Sequence, residues 1–311
     1  MNKKLRGNLM LLLTAFIWGS AFVAQRSGMD YIEPFTFNGL RSLIGGVALL
    51  PVILFMKGKS SPEGPEASEQ ELSQDEARAR RKTLILGGVS CGIVLFIASS
   101  LQQAGLAYTT AGKAGFITAL YIVLVPIMGI FIGKKIKPIL WLCVGMAVVG
   151  LYLLCVKEGF SLSKGDFLVL LCALGFTIHI LVIDYFSPKT DGVKMSCIQF
   201  FVCGAISLVP MFTMETPVLS NILTCWLPLL YAGVLSCGVG YTLQIVAQKD
   251  TNPTIAAMLM SLESVFAVIS GAIILHEQMA LREILGCAIM FAAIIIAQLP
   301  SKEERLAAKE H

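Results

Sequence analysis

The sequence predicts an all-α integral membrane protein with ten transmembrane helices, arranged as two inverted repeats of five. Three observations carry that expectation. The chain has 311 residues, of which 56% are hydrophobic and 14% charged. Soluble domains are about 25% charged and about 45–50% apolar, so this balance cannot cover a surface that faces water. Next, ten apolar stretches approach the roughly 20 residues that a bilayer core of about 30 Å requires. Finally, a segment of the first half recurs in the second half without a gap.

The first span, 8–25, follows a basic start and superficially resembles a signal peptide. Its apolar run continues to Val23 with no small-residue cleavage motif, so it reads as an uncleaved helix. Its "IWGS" places Trp18 beside two small residues that allow close helix approach. The indole can stack on a ligand or simply pack. The second span, 35–56, carries Arg41 about two turns in, where it can pair with Asp30 or Glu33 or snorkel outward. The polar segment from Lys57 to Lys82 reads as a cytoplasmic linker, with a short surface helix at its end; the third span begins at 84.

The third span, 84–107, ends with Gln102 and Gln103, amides suited to a solute or to a neighbouring helix. The fourth, 111–132, opens with Lys113 near the outer face and holds Tyr121 near mid-depth. Lys113 can attract an anionic group or snorkel to the interface. Tyr121 combines an apolar ring with a hydroxyl, which suits a solute cavity or a bonded packing position. The fifth span, 137–156, closes the first unit, 8–156. The sixth, 165–186, carries His179, a side chain that ordinarily titrates near physiological pH. A neutral imidazole bonded to a facing helix is the plainer alternative. The seventh span is 194–213, and the eighth, 224–247, holds Gln244 late. The ninth, 253–275, has Glu263 almost at its middle, and the tenth, 281–299, completes the second unit, 165–299.

Basic residues orient these spans. With the N-terminus inside, 18 Lys and Arg fall on the cytoplasmic side and 5 outside, with Arg41 left inside the second span. That split favours ten helices with both termini cytoplasmic, in the cell membrane. It also assigns the positive charge to topology rather than to nucleic acid.

The repeat pairs Leu101–Lys135 with Leu243–Glu277, with 9 of 35 positions identical. It equates spans three and four with spans eight and nine, and so implies a five-helix unit. An odd number of helices per unit forces the two units into opposite orientations. Inverted repeats of this kind are a transporter signature, with the solute site near the midplane between halves. Glu263 and Tyr121 are symmetry mates under this repeat. A charged side chain at a helix centre costs about 2.5–3.5 kcal/mol on insertion scales, so it faces the interior and is a functional candidate. Glu263 could bind a cationic group, carry a coupling proton, or fix a neighbouring helix.

The sequence also resembles the EamA-type transporters of the drug/metabolite transporter superfamily. The resemblance rests on "FIWGSAFVAQR" (Phe16–Arg26), "FNGLRSLIGG" (Phe37–Gly46), "AGKAGFITALYIVLVP" (Ala111–Pro126) and "SLESVFAVISGAIILHE" (Ser261–Glu277). It implies ten helices in two inverted repeats, a central cavity, and movement of small metabolites or drug-like compounds, often outward. The chain departs from the family's common Glu-Pro by having Glu263-Ser264, so a helix break beside the carboxylate is less expected here.

The expected function is therefore a secondary transporter or permease for a small-molecule solute, working in a lipid bilayer by alternating access, with protons as candidate coupling ions. Its expected site residues are Glu263, Tyr121, Lys113, Gln102, Gln103, Gln244, His179 and Trp18. No GxxxxGK[ST] or HExxH occurs, and convergent polar groups are sparse, so neither ATP hydrolysis nor an enzyme is expected. The nine cysteines form no CxxC pair, so no metal or other cofactor is expected. A channel or a solute-binding receptor-like protein is the alternative, but no helix carries the polar stripe that a channel needs. Nothing in the sequence sets an oligomeric state.

Overall fold

The computed structural model describes residues 3–57, 74–109, 111–134, 136–155, 163–274 and 280–298. All regular structure among them is helical. The helices are α1 (Lys3–Gly28), α2 (Pro34–Lys57), α3 (Gln74–Leu106), α4 (Ala111–Thr118), α5 (Tyr121–Phe131), α6 (Pro138–Cys155), α7 (Lys164–Phe186) and α8 (Gly192–Met214). After these come α9 (Leu219–Thr224), α10 (Trp226–Leu230), a π-helical stretch (Tyr231–Tyr241), α11 (Thr242–Gln248), α12 (Pro253–Met260), α13 (Glu263–Ile274) and α14 (Leu281–Gln298).

Eight spans are long and apolar enough to cross a membrane among the described residues. Ten are expected from the sequence. The fifth and tenth coincide with α6 and α14, which are helical but stand outside that set of eight. Apolar side chains also cover much of the outside: Leu54, Val209 and Phe212 are exposed, and Phe131 is 85% exposed. Such a surface suits lipid and not water, because lipid tails impose no penalty on it. Within the expected linker, Gln74–Lys82 is already part of α3, and 58–73 lies outside the described residues.

Polar caps set several helix starts. Ser163 and Asp166 form a capping box at α7, and Thr109 donates to Asp166 at 2.6 Å. Asp191 caps α8, and Asn252 caps α12 ahead of Pro253. The start of α2 is capped from a distance. Glu215 accepts from the Phe35 and Thr36 amides and from the Thr36 hydroxyl, each at 2.7 Å. Glu33 accepts from the Thr216 amide at 3.0 Å. Two segments far apart in sequence are thereby tied together at one end of the molecule.

The core runs between the helices. α1 packs on α12, α13, α11 and the π stretch, while α7 packs on α4, α5 and α3. α2 lies along α8, and α6 lies along α14. Close approach at the α1–α13 crossing requires Gly19. A Cβ there would stand 2.4 Å from the Glu263 carbonyl oxygen and 2.7 Å from Phe266 Cβ.

The fourth and ninth predicted spans are each interrupted, α4 from α5 at residues 119–120 and α12 from α13 at 261–262. The hydrogen bonds change in the same way at both. Leu120 N donates to Ile117 O and Ile122 N to Ala119 O, three residues back; Leu262 N to Leu259 O and Ser264 N to Ser261 O repeat that step. The normal four-residue step resumes with Leu124 N to Leu120 O and with Phe266 N to Leu262 O. A tightened turn of this kind breaks a helix without a proline. The break beside Glu263, less expected from Glu263-Ser264, is therefore present. The Ser261 hydroxyl donates to the Met258 carbonyl at 2.8 Å, an acceptor that the regular ladder would have used.

Candidate functional site

Both interruptions open onto one partly open cavity, about 460 Å³ when the solvent space at its mouth is counted. Irregular backbone at membrane depth is tolerated where it lines a cavity or is buried in protein. α1 contributes Trp18, Phe22 and Gln25, spaced as one helical face. α2 contributes Arg41, and α3 contributes Gln102. Tyr121 at the start of α5 and Glu263 at the start of α13 meet across the cavity. The Tyr121 hydroxyl donates to Glu263 Oε1 at 3.1 Å, joining residues 142 apart. Both side chains are buried, Glu263 at 3% exposure. Glu263 has no basic partner among the described residues, and its position in the first turn of α13 places the carboxyl in the favourable field of that helix start.

The opposite wall comes from α7, the π stretch and α11. His179 Nε2 bonds Gln199 Oε1 at 3.1 Å, while its Nδ1 has no partner among the described residues. Trp18 Nε1 donates to the Ser236 carbonyl at 3.4 Å, and its ring lies 4.5 Å from that of Tyr241. Gly240 makes that seat: a Cβ there would come within 2.7 Å of Trp18 Nε1. The π stretch runs directly behind, and such segments recur at functional sites. Gln244 keeps a buried Oε1 with no partner among the described residues. Buried polar atoms of this kind normally bond water or a ligand, which makes this wall suited to a hydrated solute.

Six of the eight sequence-predicted residues line the cavity: Glu263, Tyr121, Gln102, Gln244, His179 and Trp18. Gln102 is also held structurally, donating to Thr118 Oγ1 at 3.2 Å. Gln103 is not on the cavity wall; its amide donates to the Gln25 carbonyl at 3.1 Å and joins α3 to α1. Lys113 sits in α4, but its side chain lies outside the described residues.

Sequence reasoning missed Arg41, Gln25 and Tyr241. Arg41 does not pair with either nearby acid. Asp30 binds Arg26 at 2.9 Å, and Glu33 is engaged with the Thr216 amide. Arg41 is 5% exposed and donates to Gln25 Oε1 at 2.5 Å and twice to Asn38 Oδ1, at 3.0 and 3.2 Å. Its guanidinium also stands 5.7 Å from the Phe37 ring centroid. The signal was available: Arg41 is a charge well inside a span, and Gln25 continues the face of Trp18 and Phe22 by helical spacing.

Comparison with known proteins agrees with this architecture. The profile of the EamA-like transporter family matches residues 5–156 and again 163–298. An uncharacterized transporter of Archaeoglobus fulgidus is 31% identical over 303 residues, covering 96% of this chain and 87% of that one. A chloroplastic WAT1-related protein of Arabidopsis thaliana is 25% identical over 308 residues, covering 94% and 69%. One crystal structure superposes with a TM-score of 0.73 over 94% of this chain and 96% of its own, at 16% identity, a likeness of fold.

Proposed function

The chain belongs to the EamA-like transporter family, and on that premise we propose that it is a secondary transporter for a small solute, working by alternating access around the Tyr121–Glu263 cavity. The two matched stretches would be inverted halves of five helices each, 8–156 and 165–299, with both termini on the cytoplasmic side of the cell membrane. The observation that carries this reading is the pair of broken helices, whose hydrogen bonds shift at equivalent positions and whose first residues meet at the cavity. Discontinuous helices at the midplane, one per half, are how such transporters build a solute site. The packing supports the same symmetry, since α1 meets the π stretch, α12 and α13 as α7 meets α3, α4 and α5.

Glu263 gives the cycle its chemistry. An ionised carboxylate at this depth without a counter-charge is costly. Either a proton or a cationic group of the solute supplies that charge, and the two compete for the same oxygens. Tyr121 holds Oε1 in place for both.

The test is counterflow in proteoliposomes holding the purified full chain, with radiolabelled cations, anions, zwitterions and neutral metabolites offered in turn. Saturable counterflow of at least one compound, lost in Glu263→Gln, is the expected result. Unsaturable flux with single-channel currents, or no movement of any compound, would overturn the transporter reading.

A further inference from the structure

Two constant offsets relate the halves of the chain. An offset of 142 pairs Gln102 with Gln244, and an offset of 158 pairs Trp18 with Phe176 and Phe22 with Ile180; every one of these residues lines the cavity. The second offset also shows in the sequence, where 7–15 and 165–173 are identical at 4 of 9 positions. Both offsets carry on to two corners far from the cavity. At the first corner α3 ends beside the start of α7. Thr109 donates to Asp166 Oδ1 at 2.6 Å, Ser163 N donates to Oδ2 at 2.8 Å, and Asp166 is fully buried. A Cβ on Gly165 would stand 2.7 Å from the Gly105 carbonyl oxygen. At the second corner α11 ends beside the start of α1. There Thr251 stands for Thr109, Asn8 for Asp166, Ala247 for Gly105 and Gly7 for Gly165. A Cβ on Gly7 would stand 3.5 Å from the Ala247 carbonyl oxygen and 2.8 Å from Thr251 Oγ1. The Thr251 hydroxyl is buried with no partner among the described residues. One frame thus occurs twice, tight and bonded at the first corner, looser and without the threonine bond at the second.

We infer that these corners are paired latches, made alternately as the halves rock: Thr109 to Asp166 in the state described, Thr251 to Asn8 in the other. This rests on the reading of the chain as two inverted halves, which puts the corners on opposite sides of the membrane. Halves built on one frame reach their second arrangement by exchanging conformations about the fixed site. The corner that is tight in one half then loosens while its counterpart closes. A buried hydroxyl without a hydrogen bond is costly, and such groups call for an explanation. For Thr251 the cost is confined to one state, because in the other the Asn8 side chain is its acceptor. The two acceptors differ in strength. The Asp166 carboxyl accepts at both oxygens, whereas the Asn8 amide has a single acceptor oxygen. The acid holds its corner the more firmly, and so Asp166 against Asn8 sets which state is favoured at rest.

The experiment is amide hydrogen–deuterium exchange on the full chain in lipid nanodiscs, read at 105–109 and 164–168 for the first corner and at 5–10 and 247–252 for the second. Thr109→Val removes the donor and keeps the shape. Exchange should quicken at the first corner and slow at the second, as the ratio of the two states moves by about tenfold, the loss of one hydrogen bond to a carboxyl. Thr109→Ser restores the donor and should return both corners to wild-type exchange. Asn8→Asp gives the second corner the acid of the first. It should move both corners in the same sense as Thr109→Val, and adding Thr251→Val should cancel that shift. Asn8→Asp adds no bulk, so it decides the matter even where Thr109→Val unfolds its own corner. A change confined to the substituted corner, or exchange at 105–109 that ignores Asn8→Asp, would overturn the proposal and leave two static caps. Counterflow by the wild type separates the two levels. Counterflow with uncoupled corners keeps the transporter reading and removes the latches. Coupled corners without counterflow of any compound keep the latches and remove the transporter reading.

Discussion

The two broken helices share a backbone and differ in chemistry. Residues 111–131 and 253–274 tighten their hydrogen bonds at equivalent positions and then resume. Yet the first residue after the break is Tyr121 in one and Glu263 in the other. The residue just before it is Leu in both, but the one before that is Ala119 against Ser261. At the break itself, the second helix carries a carboxyl and the first carries the hydroxyl that donates to it. A duplicated frame has thus been given one acid and one positioning group, rather than two acids that would repel each other in the same cavity.

Four substitutions break or sharpen that comparison. The largest effect is expected at Glu263. Glu263→Gln keeps an acceptor for Tyr121 but removes the charge. Affinity for a solute carrying a cationic group should fall about 10- to 100-fold, the loss of a charged hydrogen bond of about 1.5–3 kcal/mol. The pH dependence of uptake should flatten with it, because the amide binds no proton. Full proton-driven uptake by this variant would show that the acid is structural.

Gly19→Ala should come next. Its Cβ would meet the backbone of α13 at Glu263. Overpacking of this kind costs about 1–3 kcal/mol. A clear drop in melting temperature, with weakened binding, is the expected reading; an unchanged melting curve would mean that α1 and α13 can separate freely.

Tyr121→Phe removes the hydroxyl and keeps the ring. A net loss of about 1 kcal/mol, or roughly fivefold in affinity, is expected in binding assays, with the pH dependence retained but displaced. The smallest effect is predicted for Ser261→Ala. The equivalent position is already Ala119, and the first break forms without a hydroxyl. Melting temperature should move by the equivalent of only a few tenths of a kcal/mol, within the range of ordinary substitutions that break no special feature. A large loss would mean that the second break depends on the Ser261–Met258 bond and the first does not.

Sequence alone determined that the chain is helical, lipid-facing and repeated, and that a carboxylate lies mid-span opposite a tyrosine in the repeat. Those features follow from hydropathy, periodicity and residue spacing, which are sums over neighbours along the chain. The same reasoning reached six of the fifteen residues that line the cavity. Tertiary structure decided the rest. It put Arg41 on the cavity with Gln25 and Asn38 instead of with Asp30 or Glu33, because those acids are held by Arg26 and by the Thr216 amide. It turned Gln103 away, onto the Gln25 carbonyl. It broke the ninth span without a proline, since moving a hydrogen bond from the fourth to the third residue back leaves no local mark that composition can carry. And it brought Tyr121 to Glu263, a contact between residues 142 apart that exists only because α1, α5, α7 and α13 pack around the same space.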